Sequence, residues 1–148
     1  MNRLYNLLTV MVLTAGAFFA GQEALAKVLT GTGGEDTLVG TDMEDRLTGR
    51  GGEDNLKGRR GADRLQGSLG DDHLKGNRGN DRLWGGGGND KIIPGDGNDK
   101  VYAGHGDDLI YGRDTDGVDF IDCGPGFDKV ETIHRDDVTL SNCERPRP

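Results

Sequence analysis

The stretch that decides the fold reads Gly85-Gly86-Gly87-Gly88-Asn89-Asp90-Lys91-Ile92-Ile93, followed directly by Pro94-Gly95-Asp96-Gly97-Asn98-Asp99-Lys100-Val101-Tyr102. In each nonapeptide, a turn-forming hexapeptide precedes a triplet with a polar, apolar and variable pattern. Glycine at the fourth position suits a backbone conformation that side chains resist. The triplet is typical of a short β-strand whose aliphatic side chain points inward. Two such units predict one coil of a stacked structure.

The same period extends over most of the chain. An aspartate recurs every nine residues along it. A large aliphatic residue lies two positions after each of these aspartates, and glycine lies two positions before each one, except that Met43 takes the place of the glycine before Asp45. Composition alone, with 32% hydrophobic residues and a net charge of −8, would favour a disordered tail. A disordered segment gives no reason for aliphatic residues in register, so we interpret the period as stacked repeats. The periodic aspartates are Asp36, Asp45, Asp54, Asp63, Asp72, Asp81, Asp90, Asp99 and Asp108.

Residues 31–111 resemble the calcium-binding nonapeptide repeats of RTX (haemolysin-type) proteins, whose pattern is Gly-Gly-x-Gly-x-Asp-x-aliphatic-x. The resemblance implies an all-β fold, a right-handed parallel β-roll (β-solenoid), with Ca²⁺ seated between successive turns. It also implies that the nine aspartates and the turn carbonyls are the metal ligands. Ca²⁺ accepts mixed carboxylate and carbonyl oxygens, whereas Mg²⁺ keeps its waters and demands a tighter octahedron.

Successive turns on one edge of such a coil are two repeats apart. One edge therefore carries Asp36, Asp54, Asp72, Asp90 and Asp108, and the other carries Asp45, Asp63, Asp81 and Asp99. The gaps between neighbours predict up to about seven inter-turn Ca²⁺ sites. We expect the tightest sites between Asp72 and Asp108. Weaker sites are expected near Asp45, where Met43 replaces the turn glycine, and near Asp63, which follows Arg59 and Arg60.

Calcium is also expected to decide whether the chain folds. One aliphatic residue in nine makes a thin core, and the conformational entropy of ordering the repeats is large. Rows of aspartate without a counter-charge oppose folding further. We therefore predict that metal binding is coupled to folding.

Residues 1–26 have a different character. Arg3 gives a short positive start, Leu7 to Ala20 form an apolar run without charge, and Ala24-Leu25-Ala26 is a small-x-small cleavage pattern. These features predict a signal peptide with cleavage after Ala26 and a secreted, extracellular protein. An N-terminal membrane anchor is the alternative, although the run is short for a span of roughly 20 residues. No other segment is apolar enough to cross a membrane, so the mature chain is expected to lack a span.

The repeat loses its phase after Tyr111. We expect residues 27–113 to form the repeat domain and residues 114–148 to form a degenerate repeat and a C-terminal cap. Cys123 and Cys143 lie in this tail, and their pairing as a structural disulfide is favoured over metal ligation in an exported protein. Phe120 and Phe127 supply apolar bulk for the cap, and Val138 and Leu140 predict a last strand.

The outward positions carry a second pattern. Arg46, Arg64, Arg82 and Lys100 recur at the spacing of one coil, which predicts a column of like charge on one sheet face, with Trp84 and Tyr102 beside it. The column either compensates the acidic edges or binds an anionic polysaccharide or another polymer of the cell envelope. Full occupancy by calcium would make the net charge positive.

No residue pattern predicts an enzyme. His73, His105 and His134 are isolated, and neither a His-Glu-x-x-His nor a Gly-x-Ser-x-Gly motif occurs. An acidic, exported chain also disfavours nucleic-acid binding. Two functions remain: a free-standing, calcium-folded module, and a calcium-dependent adhesin-like protein that binds an anionic cell-envelope polysaccharide.

Overall fold

The computed structural model describes residues 25–112, 117–132 and 138–143. These ranges contain β-strands and no helix, and the strands form two parallel sheets. The first sheet contains β1 (Val28–Thr30), β3 (Arg46–Gly51), β5 (Arg64–Leu69), β7 (Arg82–Gly87), β9 (Lys100–His105), β11 (Asp119–Asp122) and β13 (Val138–Ser141). The second sheet contains β2 (Thr37–Val39), β4 (Asn55–Arg60), β6 (His73–Arg78), β8 (Lys91–Asp96), β10 (Leu109–Gly112) and β12 (Lys129–Thr132).

The chain alternates between the two sheets, so that each pair of consecutive strands is one coil. Leu47 pairs with Leu65, and Leu65 with Leu83, two nonapeptides further along. Lys100 pairs with Phe120 and Leu109 with Lys129, which shows that the two extra residues after Asp108 lengthen one coil without ending the stack. The predicted parallel β-solenoid is confirmed.

Three inward positions in each repeat form the core. The aliphatic side chains point inward, as predicted; Leu38 and Val130 at the two ends are partly buried. Those between them are completely buried and are Leu47, Leu56, Leu65, Leu74, Leu83, Ile92, Val101, Ile110 and Ile121. The periodic aspartate lies two positions before the aliphatic residue, and a small residue lies two positions after the aliphatic residue. Strand alternation therefore points all three inward. The small residue is usually glycine, and it is Ala103 in β9.

Strands β3 to β9 are longer than the triplet that the sequence predicts. Each contains six residues because the parallel pairing continues into the turn, as between Arg50 and Ser68 or Gly51 and Leu69. Stacked turns of equal length repeat the same backbone path, and their backbone groups pair as strands do. The turn and the strand are therefore one continuous hydrogen-bonded ladder.

Glycine at the fourth repeat position meets two physical demands. Gly70 has a φ of +115°, and a Cβ there would lie 2.1 Å from the carbonyl oxygen of Gly52 in the preceding coil. A side chain at Gly70 is excluded both by the backbone conformation and by the neighbouring turn. Met43 occupies the position in the second repeat, where the backbone does not adopt the left-handed conformation.

A disulfide joins Cys123 to Cys143 near the C-terminus, as predicted. Cys123 is completely buried and packs in the core, while Val138 and Leu140 lie in β13 as predicted. The expectation that Phe127 covers the end of the core is wrong, because its side chain is 76% exposed. Phe127 lies in the turn before β12, where alternation places the neighbouring Asp128 inward instead.

The predicted signal peptide lies almost wholly outside the described residues, which begin at Leu25. Within the described ranges, no helix is long and apolar enough to span a membrane.

Candidate metal centre: two columns of buried aspartates

The periodic aspartates form one column along each edge of the coil, divided as the sequence predicts. Within a column, the backbone N–H of each aspartate donates a hydrogen bond to Oδ1 of the aspartate in the next coil. This contact is 2.8 Å between Asp54 and Asp72 on one edge and 2.7 Å between Asp63 and Asp81 on the other. Each carboxylate is thereby fixed in direction by the backbone of the preceding coil.

The columns lie inside the coil and not on its outer surface. Asp45, Asp54, Asp63, Asp72, Asp81, Asp90, Asp99 and Asp108 are at most 2% exposed, and only the first member, Asp36, is half-buried. Aspartate is rarely buried to this degree without a partner for its charge. The structure therefore concentrates negative charge in two narrow buried rows.

The second carboxylate oxygen carries the evidence for a ligand. Oδ2 is buried and has no hydrogen-bond partner in Asp54, Asp63, Asp72, Asp81, Asp90 and Asp108. A Cβ placed on Gly67 would lie 2.1 Å from Oδ2 of Asp72 and 2.8 Å from the carbonyl oxygen of Gly85, so carboxylate and carbonyl oxygens surround the same small space. Buried polar atoms without partners are expensive, and their regular recurrence points to a group that they bind.

Burial raises the pKa of the carboxyl group in six members of the columns: Asp54, Asp63, Asp72, Asp81, Asp90 and Asp108. The pKa of Asp63 and of Asp90 rises to about 7, chiefly because burial penalises the charged form and further because neighbouring carboxylates of the same column repel it. The hydrogen bond from the preceding aspartate acts in the opposite direction. Burial likewise raises the pKa of Asp72, Asp81 and Asp108 to about 6. A cation between the turns would remove the repulsion and favour the ionised form.

In the first two repeats, Oδ2 of the periodic aspartate accepts hydrogen bonds from a threonine. Thr32 donates from its backbone N–H (2.6 Å) and from its hydroxyl (2.9 Å) to Oδ2 of Asp36. Thr41 makes the equivalent contacts, of 2.5 and 3.1 Å, with Oδ2 of Asp45. The unpartnered oxygen that characterises the later repeats is therefore absent from these two. Threonine at the second repeat position, visible in the sequence, was the signal for this difference.

Two further aspartates, Asp119 and Asp128, extend the columns in the structure. Neither was predicted from the sequence to be a ligand. The backbone N–H of Asp99 donates to Oδ1 of Asp119, and that of Asp108 donates to Oδ1 of Asp128, both at 2.9 Å. Asp119 is 1% and Asp128 is 7% exposed. Their mutual spacing of nine residues, each with an aliphatic residue two positions later, was the available signal.

A second ladder of hydrogen bonds runs outside the aspartate columns in the later repeats. It uses the residue just before each periodic aspartate: Asn89 donates its backbone N–H to Oδ1 of Asp71, and Asp107 donates to Oδ1 of Asn89. On the other edge, Asn98 donates to Asn80 at 2.9 Å. The earlier repeats carry glutamate or alanine at this position, so the turns from Asp71 onward have an additional brace.

Arg59 and Arg60 lie beside the turn of Asp63, as the sequence suggests. Arg60 pairs with Asp42 at 3.4 Å across the outer edge of the coil, and Arg59 has a φ of +98°. The left-handed conformation strains a non-glycine residue. Oδ2 of Asp63 is nevertheless buried and unpartnered, as is Oδ2 of Asp90.

The donor set fits Ca²⁺. No group of three or more Asp, Glu, His or Cys side chains gathers at one point in the described ranges. Two carboxylates can meet between consecutive turns, and backbone carbonyls or water must supply the remaining oxygens. Ca²⁺ accepts six to eight oxygens of this mixed kind with flexible geometry. Zinc, which prefers nitrogen and sulfur ligands, does not suit the site.

A parallel β-solenoid with buried aspartate columns defines the class of this protein. The family comparison agrees, since the RTX calcium-binding nonapeptide repeat matches in four copies, at residues 30–65, 57–92, 66–100 and 95–118. Together the copies span well over half of the chain. The chain belongs to the RTX calcium-binding nonapeptide repeat family, whose repeats bind calcium. A comparison with curated proteins gave no match.

Proposed function

We propose that this protein is a secreted calcium-binding module whose coil folds when Ca²⁺ binds between successive turns. The observation that carries the proposal is the recurrence of a buried Oδ2 without a hydrogen-bond partner in six members of the columns: Asp54, Asp63, Asp72, Asp81, Asp90 and Asp108. The ligands in this proposal are the nine aspartates of the sequence analysis and the turn carbonyls near them. Bound Ca²⁺ supplies the positive charge that the buried rows lack.

The number of sites follows from the columns. Nine aspartates leave about seven gaps between neighbours on the same edge, each gap being one inter-turn position. Asp119 and Asp128 extend the columns by one gap each, at the C-terminal end. Asp36 and Asp45 lie at the other end, and we propose that their hydrogen bonds with threonine make that end the weaker one.

Coupling between metal binding and folding is supported by the composition of the core. Each half-coil buries one aliphatic residue, one small residue and one carboxylate. Burial of the carboxylates opposes folding unless their charge is neutralised, and the raised pKa values express this penalty. The metal-free chain is therefore expected to be unfolded or loosely collapsed near neutral pH.

Export is supported by two features. Residues 1–26 have the composition of a signal peptide, and a disulfide is typical of oxidising compartments. In this proposal, residues 27–113 are the repeat domain and residues 114–148 are the cap. We propose no catalytic activity, because the aspartate columns are buried and His73 and His105 lie on opposite sheets without a shared site.

The second candidate function is calcium-dependent adhesion to an anionic cell-envelope polysaccharide. The predicted alignment of cations favours it, since Arg46 pairs with Arg64, Arg64 with Arg82 and Arg82 with Lys100. Trp84 pairs with Tyr102 on the same face, with ring centroids 5.9 Å apart and nearly parallel planes. A wound coil is required for either alignment.

Equilibrium dialysis of residues 27–148 tests the proposed calcium sites. We expect several Ca²⁺ ions per chain at saturation, with a number near the count of inter-turn gaps, and weak competition from Mg²⁺. The matched variant is Asp90→Asn, which keeps the shape of the side chain and removes its charge. An unchanged number and affinity of ions in this variant would contradict the proposed ligands.

A further inference from the structure

The outer face of the first sheet contains an open hollow of about 660 Å³ between β3, β5 and β7. Its lining combines two guanidinium groups, polar side chains, one exposed leucine and one indole. The side chains that line it include Arg46, Thr48, Arg64, Gln66, Leu69 and Trp84. Its volume is within the range of small-molecule sites, roughly 300–1,000 Å³.

Trp84 closes one end of the hollow with a ring face. In the sheet, Trp84 lies between Gln66 on β5 and Tyr102 on β9. One face of the indole stacks on Tyr102 with an angle of 9° between the planes. The opposite face therefore looks toward Gln66, into the hollow. A rigid aromatic face beside amide and hydroxyl groups offers both a stacking surface and hydrogen bonds.

The charge of the hollow selects an anionic ligand. Arg64 pairs with Glu44, whereas Arg46 is exposed and forms no ion pair with any described residue. Arg46 and Arg64 are direct neighbours in the ladder, and both line the hollow. Two guanidinium groups suit bidentate contacts with a carboxylate or a sulfate.

We propose that this hollow binds a segment of an acidic polysaccharide. A sugar ring stacks on the free face of Trp84, its hydroxyls bond with Gln66 and Thr48, and its carboxylate or sulfate lies against Arg46 and Arg64. The column continues to Arg82 and Lys100, which extends the basic surface along the coil axis for a longer polymer. The proposal rests on the calcium-coupled folding described above, because the hollow spans three successive coils.

Trp84 is the only tryptophan in the chain, so its fluorescence reports on the hollow directly. The experiment titrates residues 27–148 in saturating Ca²⁺ with a galacturonate trisaccharide, a sulfated oligosaccharide and, as the neutral probe, a glucose trisaccharide. We expect a saturable fluorescence change with at least one acidic probe, weakened by salt, and little change with the neutral one. The stronger acidic probe identifies the acid group. If neither acidic probe binds, or the neutral probe binds equally well, the proposal is overturned.

Variants separate a built site from general attraction to a basic surface. Arg46→Gln with Arg64→Gln is expected to weaken binding about ten-fold, because two charge contacts at the surface are lost. Lys57→Gln with Lys75→Gln removes the same charge from the opposite sheet, where these lysines are also ladder neighbours, and should leave binding unchanged. Equal losses in both double variants would overturn the proposal. A single-stranded oligonucleotide that binds more tightly than both acidic sugars would overturn it too.

Circular dichroism of each protein in the same buffer distinguishes failure of the saccharide site from failure of calcium-coupled folding. A coil that is folded in Ca²⁺ but does not bind the acidic probes contradicts the saccharide site and leaves the calcium function intact. A chain that is equally folded in EDTA contradicts the proposed function itself. Gln66→Ala provides a further check by calorimetry, because it removes a hydrogen-bonding group from the hollow without changing charge or the fluorophore.

Discussion

The backbone N–H of Asp72 donates a 2.8 Å hydrogen bond to Oδ1 of Asp90, its counterpart in the next coil, while Oδ2 of Asp90 is buried without a hydrogen-bond partner. One oxygen of the carboxylate therefore holds two coils in register, and the other remains available to a ligand. The same division recurs along both edges. A single residue type thus contributes to the stacking of the coils and to the candidate metal sites.

The position of an aspartate along its column should decide how strongly its substitution weakens calcium-dependent folding. Asp90 lies in the middle of a column with an unpartnered oxygen, whereas Asp45 is bonded by Thr41. We expect Asp90→Asn to raise the calcium concentration at the folding midpoint by about ten-fold or more, a typical loss for a disturbed metal site. Asp45→Asn is the matched control and should shift the midpoint much less. Equal shifts, measured by circular dichroism, would contradict this ranking.

Glycine at the fourth position should be irreplaceable in the stacked turns. Gly70→Ala places a Cβ in left-handed backbone, 2.1 Å from the carbonyl oxygen of Gly52. We expect a loss of about 1–3 kcal/mol in the free energy of unfolding at saturating Ca²⁺. Gly33→Ala is the control, because a Cβ there meets nothing within 4 Å. Urea unfolding in Ca²⁺ compares the two variants, and an equally stable Gly70→Ala would refute the geometric argument.

The disulfide should stabilise the coil without taking part in calcium binding. Cys123 occupies the small inward position that Ala103 occupies in the neighbouring strand, so alanine should fit there. Replacing Cys123 and Cys143 together by alanine is expected to lower the free energy of unfolding by about 3 kcal/mol. The number of bound Ca²⁺ ions should not change. Loss of several ions in this variant would mean that the bridge shapes the sites themselves.

Much of this architecture was predictable because the repeat is strict. The aliphatic ladder, the two-edge division of the aspartates and the alignment of Arg46 with Arg64 all follow from one spacing. With two repeats per coil, each residue type returns to the same place in the stack. The disulfide was predictable as well, since only two cysteines occur.

Other features depend on three-dimensional contacts that cannot be deduced from the spacing of the repeat. The carboxylates are deeply buried because Asp90, Ile92 and Pro94 occupy alternate positions and all point inward. The sequence pattern predicted a strand of only three residues, so the inward position of Pro94 was not recognised. The role of Thr41 depends on a turn whose backbone differs from the later turns. Exposure of Phe127 depends on which side of the strand its neighbour Asp128 occupies.

The raised pKa values predict opposite effects of pH on the metal-free and the calcium-bound chain. Folding raises the pKa of Asp63 and Asp90 from 3.8 to about 7. Between about pH 4 and pH 7, the folded metal-free chain therefore binds more protons than the unfolded chain, and its free energy of unfolding falls as the pH rises. In EDTA, we expect more β-structure near pH 4.5 than near pH 7.5.

Calcium binding should show the reverse dependence, because its ligands must lose their protons. The calcium concentration at the folding midpoint is expected to increase as the pH falls from about 7.5 to about 5.5. Titrations of the same protein at the two pH values, followed by circular dichroism, measure this shift. A midpoint that is independent of pH would contradict the assignment of the buried carboxyls as ligands.

The most direct test of the account is a calcium titration of residues 27–148, oxidised at the cysteines and followed by far-ultraviolet circular dichroism and by resistance to protease. Starting from EDTA near neutral pH, we predict a largely disordered spectrum. Micromolar to millimolar Ca²⁺ should then produce a cooperative gain of β signal together with protease resistance, and Mg²⁺ should produce far less of both. A metal-free chain that is already fully β-structured and equally protease-resistant would contradict the central claim that calcium binding and folding are coupled.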